Sequence, residues 1–155
     1  MSTTHGVAAG AYFDGMENRR SFVAVVDDEE SVRKALLRLL RAANLDAEAF
    51  ASGEAFLNSL EKFRPDCVVL DLQMPGLTGR DVQRRLISMQ IPLPVILITA
   101  HDDIVTQQQS LSDGAANYLR KPLRGDVLVR SINDSIARAS AAAANVAAAS
   151  GALRT

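Results

Sequence analysis

The chain has 155 residues, 48% of them hydrophobic and 23% charged, which suits a single globular domain with short tails. Its formal net charge of −1 gives no overall attraction to nucleic acid or to an anionic membrane. The single cysteine excludes an internal disulfide, and the sequence has no apolar run long enough to cross a bilayer and no signal-peptide pattern. We therefore expect a cytoplasmic protein that binds neither nucleic acid nor a membrane.

The two ends differ in composition from the middle of the chain. Residues 1–21 are rich in Gly, Ala, Ser and Thr without periodicity, which predicts a disordered tail. Residues 139–155 are Ala-rich, and because alanine favours helix, we expect the last helix to run past the domain into a tail or linker. The domain itself is predicted to span residues 22–138.

Strand and helix patterns alternate five times within that span. Short apolar runs predict buried strands at 22–26, 67–70 and 94–98. Weaker strands are predicted at 47–50 and 116–119. This alternation is typical of an α/β fold with a parallel sheet and right-handed crossovers, with helices on both faces.

The helices between these strands are predicted from apolar spacing and from their end signals. The first covers 31–43, and Ser52 is a suitable cap for the second, which Pro65 ends. The third covers 80–89, with Val82, Leu86 and Ile87 facing inward. Asp102 is the expected cap of the fourth helix, which carries the apolar residues Ile104, Val105 and Leu111. The last helix is expected to start near Gly125.

Polar residues stand directly after the predicted strands, where parallel sheets form their sites. They are Asp27, Asp28, Asp71, Thr99 and Lys121. Carboxylates crowded at one edge resist ionisation unless a cation lies among them, and Mg²⁺ with oxygen ligands is the natural one. A lysine and a threonine hydroxyl can bind phosphate oxygens. The set predicts a site for aspartyl-phosphate chemistry, although each residue alone could equally be a cap, a strand-end hydroxyl or a surface charge.

Four segments together carry a family resemblance. VAVVDDEESVRKAL, DCVVLDLQMPGLTG, PVILITAHDD and ANYLRKPL resemble the receiver domain of bacterial two-component response regulators, and DLQMPGLTGRDVQRRL is similar to receivers of the FixJ-type branch. The resemblance implies a flavodoxin-like, doubly wound five-stranded sheet of order 2-1-3-4-5.

The resemblance also implies a role for each site residue. Asp71 would be the phosphoacceptor, and Mg²⁺ would be held by Asp27, Asp28, Asp71 and the backbone carbonyl of Gln73. Thr99 would be the switch hydroxyl, and Lys121, before a cis Pro122, would contact the phosphoryl group. Tyr118 would be either a half-buried strand tyrosine or an aromatic switch that turns inward when Thr99 moves.

The partners implied by the resemblance follow from phosphoryl transfer. A histidine kinase or phosphotransfer protein would donate the phosphoryl group, and a second copy or a downstream protein would read the face formed by the fourth helix, fifth strand and fifth helix. The sequence leaves open a stand-alone receiver or a fragment of a longer regulator with an appended output domain. No DNA-recognition pattern follows residue 138, so we expect this chain to bind no nucleic acid.

Two other functions fit the sequence less well. A receiver that signals without phosphate is disfavoured by the full set of acidic, hydroxyl and lysine residues. A phosphatase with an aspartyl nucleophile would need a second acid two residues after Asp71, where this chain has Gln73, so the chain is predicted not to be an enzyme in the usual sense.

Overall fold

A computed structural model of the chain describes residues 19–154, and within that range five strands alternate with five helices. The strands are β1 (Phe22–Val26), β2 (Asp46–Phe50), β3 (Cys67–Asp71), β4 (Val95–Thr99) and β5 (Asn117–Arg120). The helices are α1 (Glu30–Ala42), α2 (Gly53–Ser59), α3 (Gly79–Ser88), α4 (Ile104–Ser112) and α5 (Gly125–Arg154). Of the tail predicted at 1–21, residues 1–18 lie outside the described part of the chain.

All five strands run parallel in the order β2-β1-β3-β4-β5, which confirms the predicted sheet. In the register of the sheet Asp71 pairs with Ile98, and Thr99 pairs with Arg120. The carboxyl ends of the strands therefore meet at one edge. Because β3 and β4 are buried along their whole length, the polar residues at their ends are held by rigid backbone.

The core lies on both sides of the sheet. On one side α1 and α5 bury Leu40 and Ile132 against β1 and β3, and on the other α2 and α3 bury Phe56 and Leu86. Each of these side chains is at most 2% exposed, and burial of one such side chain contributes about 1.5–3 kcal/mol. The two-sided core fixes the sheet edge on which the polar residues lie.

The helix starts are fixed by side-chain caps. The Ser52 hydroxyl accepts a hydrogen bond from the Ala55 N–H, as predicted, and Thr78 forms a capping box with Asp81 at the start of α3. The predicted cap of α4 was wrong by one residue. Asp103, rather than Asp102, accepts hydrogen bonds from the first backbone N–H groups of that helix.

Two further details of the helices differ from the sequence prediction. Ile87 was expected to face inward but is 53% exposed. The buried side of α3 instead includes two polar residues, Arg80 and Gln83, alongside Val82 and Leu86. Helix α2 ends at Ser59, with a turn between it and Pro65, so the proline does not end the helix directly.

Helix α5 is much longer than the others, at 30 residues. Its early turns bury Leu128 and Ile132, whereas every residue from 141 to 150 is exposed. The overrun expected from the alanine content is therefore present as continuous helix. Across the described residues, no helix has the combination of length and hydropathy that a membrane span requires.

Candidate phosphoryl-transfer site

Three carboxylates converge at the carboxyl edge of the sheet. Asp71 ends β3, and Asp27 and Asp28 follow β1 directly. Oxygen atoms of all three lie within 4.8 Å of one another. Asp27 and Asp71 are buried, at 0% and 3% exposure, whereas Asp28 is exposed. The pair of neighbouring strands thus brings together the acidic residues that the sequence singled out.

Lys121 places its ammonium group beside these acids. Its Nζ lies 3.1 Å from Asp27 Oδ2 and 3.6 Å from Asp71 Oδ2, and Glu29 Oε1 is 3.8 Å away. The backbone helps to hold the residue, since the Lys121 N–H donates to the Thr99 carbonyl at 2.7 Å. The bond between Lys121 and Pro122 is cis, as expected. One cation is therefore shared among several carboxylates.

Thr99 lies at the adjacent strand end with its hydroxyl already hydrogen bonded. The hydroxyl donates to Gln73 Oε1 at 2.9 Å and accepts from the His101 N–H at 3.0 Å. Gln73 in turn donates its backbone N–H to Asp71 Oδ1 at 3.4 Å. The side-chain role of Gln73 was missed by the sequence analysis, which assigned only its backbone carbonyl.

Two residues at the start of α1 hold Asp27 in place: Glu29, which directly precedes the helix, and Arg33 in its first turn. The Glu29 N–H donates to Asp27 Oδ1 at 2.9 Å, and Arg33 Nη1 donates to the Asp27 carbonyl at 2.8 Å. Neither residue was predicted from the sequence. The signal for Glu29 is its place at the start of a helix, where backbone N–H groups have no partner within the helix, whereas Arg33 reaches the Asp27 carbonyl with its side chain.

Gly79 packs directly against the backbone of Asp71. A Cβ atom added at this glycine would lie 2.6 Å from the Asp71 carbonyl oxygen. The Gly79 N–H also donates to the Leu72 carbonyl at 3.2 Å. The start of α3 is therefore seated on the strand end that carries the central carboxylate, and only a residue without a side chain permits this approach.

The site changes the proton affinity of Asp71 and Lys121. Burial, reinforced by the charge of Asp27, raises the pKa of Asp71 to about 6, against an ordinary value of 3.8, even though Lys121 opposes the rise. Burial would lower the pKa of Lys121, but its hydrogen bond to Asp27 and the charge of Asp71 raise the pKa overall. The acids therefore carry more negative charge than the single lysine balances.

Tyr118 is buried in the apolar cluster that also contains Met74 and Leu97. Its hydroxyl is buried without a hydrogen-bond partner among the described residues. Burial raises the pKa of Tyr118, and the carboxylates of Asp103 and Asp102 add to the rise, whereas the charge of Arg120 opposes it. The ring thus points inward in this structure.

The donor set fits a small divalent cation. Three carboxylates at mutual contact distance offer oxygen ligands, and one lysine leaves their charge uncompensated. A hard cation such as Mg²⁺ suits these ligands and would relieve the repulsion among them. No distance in the structure tests the predicted Gln73 carbonyl ligand, which stays a prediction.

Comparison with known proteins places the chain in a family. A family model described as the response regulator receiver domain matches residues 23–133. Response regulator protein TodT of Pseudomonas putida is 34% identical over 121 residues, which are 78% of this chain and 53% of TodT. Transcriptional regulatory protein FixJ of Bradyrhizobium diazoefficiens is 33% identical, over 80% of this chain and 60% of FixJ. The chain belongs to the response regulator receiver family of two-component signalling.

Solved structures agree with this assignment. The crystal structure of FixJ-N matches with a TM-score of 0.71 and 32% identity, covering 76% of this chain and 94% of that one. A response regulator receiver protein from Burkholderia phymatum matches with a TM-score of 0.68 and 45% identity, covering 76% and 96%. The resemblance to FixJ-type receivers read from the sequence is confirmed. The chain spans about half the length of the curated relatives it matches.

Proposed function

We propose that Asp71 accepts a phosphoryl group from a phosphohistidine presented by a histidine kinase or phosphotransfer protein. The observation that carries the proposal is the convergence of Asp27, Asp28, Asp71 and Lys121 at one sheet edge, with Thr99 beside them. A buried carboxylate next to a lysine and two further acids provides the groups that an aspartyl-phosphate site requires. We also propose a cytoplasmic setting, whose reducing conditions suit the single free cysteine, Cys67.

The transfer itself is an in-line displacement. An oxygen of the Asp71 carboxylate forms a bond to phosphorus while the bond from phosphorus to the donor imidazole nitrogen breaks, and the imidazole takes the leaving electron pair. Lys121, 3.6 Å from Asp71 Oδ2, offers its charge to the transferred oxygens. Mg²⁺, held by Asp27, Asp28, Asp71 and the Gln73 carbonyl, would supply further positive charge to those oxygens.

Phosphorylation would then change the surface formed by α4, β5 and α5. In our proposal the Thr99 hydroxyl turns to the phosphoryl group, and Tyr118, already inward here, stays packed behind it. Three apolar residues of α4 support this face as a contact surface, because Ile104, Val105 and Leu111 are 61%, 55% and 42% exposed. Its occupant would be a second copy, a downstream protein or an appended output domain.

The test uses a small phosphodonor. Incubation with acetyl phosphate and Mg²⁺ should add the mass of one phosphoryl group to wild type, and intact-protein mass spectrometry would detect it. Asp71→Asn should gain no mass, whereas Asp134→Asn, which changes an exposed aspartate on α5, should behave as wild type. Equal modification of wild type and Asp71→Asn would contradict the proposal.

Titration with Mg²⁺ separates this function from a receiver that signals without phosphate. Micromolar to millimolar Mg²⁺ should perturb amide signals of Asp28, Asp71 and Gln73 in wild type, and the response should weaken in Asp28→Asn. No response in wild type would favour the phosphate-independent function. The phosphatase alternative gains no support, because the residue two positions after Asp71 is Gln73, and a carboxamide cannot serve as a general acid.

A further inference from the structure

The hydroxyl proton of Thr99 is already donated in a hydrogen bond. A threonine hydroxyl has one proton to donate and can accept through its lone pairs. Here the oxygen accepts from the His101 N–H at 3.0 Å, and the proton goes to Gln73 Oε1 at 2.9 Å. Thr99 is itself fully buried. The hydroxyl therefore cannot donate to another acceptor until the bond to Gln73 breaks.

Gln73 is well placed to keep this bond. Gln73 follows β3, whereas Thr99 ends β4, and these two strands pair with Asp71 opposite Ile98. Its backbone N–H is tied to Asp71 Oδ1, so the side chain starts from a fixed position. The side chain is solvent-exposed and makes its described hydrogen bond only to Thr99.

We propose that Gln73 is a positioning residue that holds the Thr99 hydroxyl and competes with a phosphoryl group on Asp71 for its proton. This inference rests on the proposed function. A phosphoryl oxygen carries charge and makes the stronger hydrogen bond, so it wins the competition, but by less than it would without Gln73. The amide thereby biases the chain toward the unphosphorylated arrangement of Thr99.

Removal of the Gln73 amide should change the affinity for a phosphoryl analogue in one predicted direction. The net worth of a neutral hydrogen bond corresponds to roughly a 2- to 10-fold change in an equilibrium constant. Removing the amide should therefore tighten the binding of a phosphoryl analogue by about that factor. If the Gln73 amide N–H₂ instead bound the analogue directly, its removal would weaken binding, so the two roles predict opposite changes.

A double-mutant cycle with beryllofluoride and Mg²⁺ tests the competition. Gln73→Met keeps the length of the side chain but removes the acceptor, and it should lower the apparent Kd about 2- to 10-fold relative to wild type. In a Thr99→Val background the same substitution should have no effect, because no hydroxyl remains to compete for. Gln90→Met, which removes an exposed amide far from the site, should leave the Kd unchanged. Weaker binding by Gln73→Met, or an equal shift in the Thr99→Val background, would overturn the proposal.

A second measurement needs no phosphoryl analogue. Three-bond couplings to the Thr99 methyl group report its χ1 rotamer in the free protein. Wild type should show one rotamer and Gln73→Met an averaged value; the same single rotamer in both would show that Gln73 does not hold Thr99. If wild type fails to bind beryllofluoride, the proposed function and the competition both fall, and the couplings still decide whether the hydrogen bond holds the side chain.

Discussion

Arg80 and Asp113 join the start of α3 to the end of α4 through an ion pair of 2.8 Å. The guanidinium is largely buried and also donates to Gln83 Oε1, while Gln83 Nε2 donates to the Ser110 carbonyl at 3.0 Å. Helix α4 has few apolar anchors, since Ser110 is its only buried residue. The polar network therefore contributes much of the attachment of α4 to the rest of the domain.

Arg80→Ala should lower the free energy of unfolding by about 2–3 kcal/mol, because it leaves the buried Gln83 oxygen without a donor and Asp113 without its cation. Chemical denaturation would measure the loss. Arg84→Ala is the matched control on the same helix. Its pair with Asp81 is exposed and 3.7 Å long, so the cost should stay below about 0.5 kcal/mol. Equal effects of the two substitutions would show that burial of the Arg80 network adds nothing.

The raised pKa of Asp71 predicts that the free energy of unfolding falls as pH rises. The carboxyl loses its proton near pH 6 in the folded chain but near its ordinary value of 3.8 in the unfolded chain. Between these pH values the folded state binds more protons than the unfolded state. The free energy of unfolding therefore decreases as pH rises from about 4 to 6, and it falls no further from this cause above pH 6. In metal-free buffer at pH 7, Asp71→Asn should be more stable than wild type, on the order of 2–3 kcal/mol.

Denaturation of wild type and Asp71→Asn across this pH range is the measurement. The difference between them should shrink toward pH 4. Added Mg²⁺ should also stabilise wild type more at pH 7 than at pH 5, since the protonated carboxyl is a poor ligand. A constant difference across the range would contradict the raised pKa.

Tyr118→Phe should leave the fold intact and raise its stability, by about 1 kcal/mol or more. The substitution removes a hydroxyl that is buried without a hydrogen-bond partner among the described residues, and such a group costs about 1–3 kcal/mol. Thermal unfolding of the two proteins would measure the gain. A clear loss of stability in Tyr118→Phe would mean that the hydroxyl has a partner in solution.

Gly79→Ala should destabilise the fold by about 1–3 kcal/mol and weaken Mg²⁺ binding. The new methyl group would meet the Asp71 carbonyl oxygen at 2.6 Å, and backbone at a strand end cannot easily move aside. Gly125→Ala is a matched control, because this glycine also begins a helix and its Cβ would meet only the end of the Leu39 side chain at 2.8 Å. Denaturation and Mg²⁺ titration of both variants should separate them; equal costs would contradict the role of the backbone contact.

The site was predictable from sequence because strand ends are easy to find. The runs of apolar residues before Asp27, Asp71 and Thr99 mark strands buried on both faces, and parallel pairing brings their ends together. The order of the strands, however, came from the family resemblance. Alternation of strands and helices alone does not select one order.

What the sequence did not reveal depends on contacts between polar residues. Arg80 and Gln83 lie on the buried side of α3 because they satisfy each other and reach α4, whereas a search for an apolar face chose Ile87. Asp102 and Asp103 are both suitable caps, and only the backbone dihedrals select Asp103. The Gln73–Thr99 hydrogen bond joins the loop after β3 to the end of β4 and leaves no periodic signal.

The continuation of α5 beyond Arg138 has a mechanical consequence. Sixteen helical residues beyond Arg138 extend about 24 Å, at 1.5 Å per residue. A continuous helix transmits rotation as well as distance, so deleting one residue would turn its far end by about 100°, while deleting seven would shorten it and nearly restore its angular phase. The orientation of the far end of α5 relative to the domain therefore depends on the number of residues in this segment.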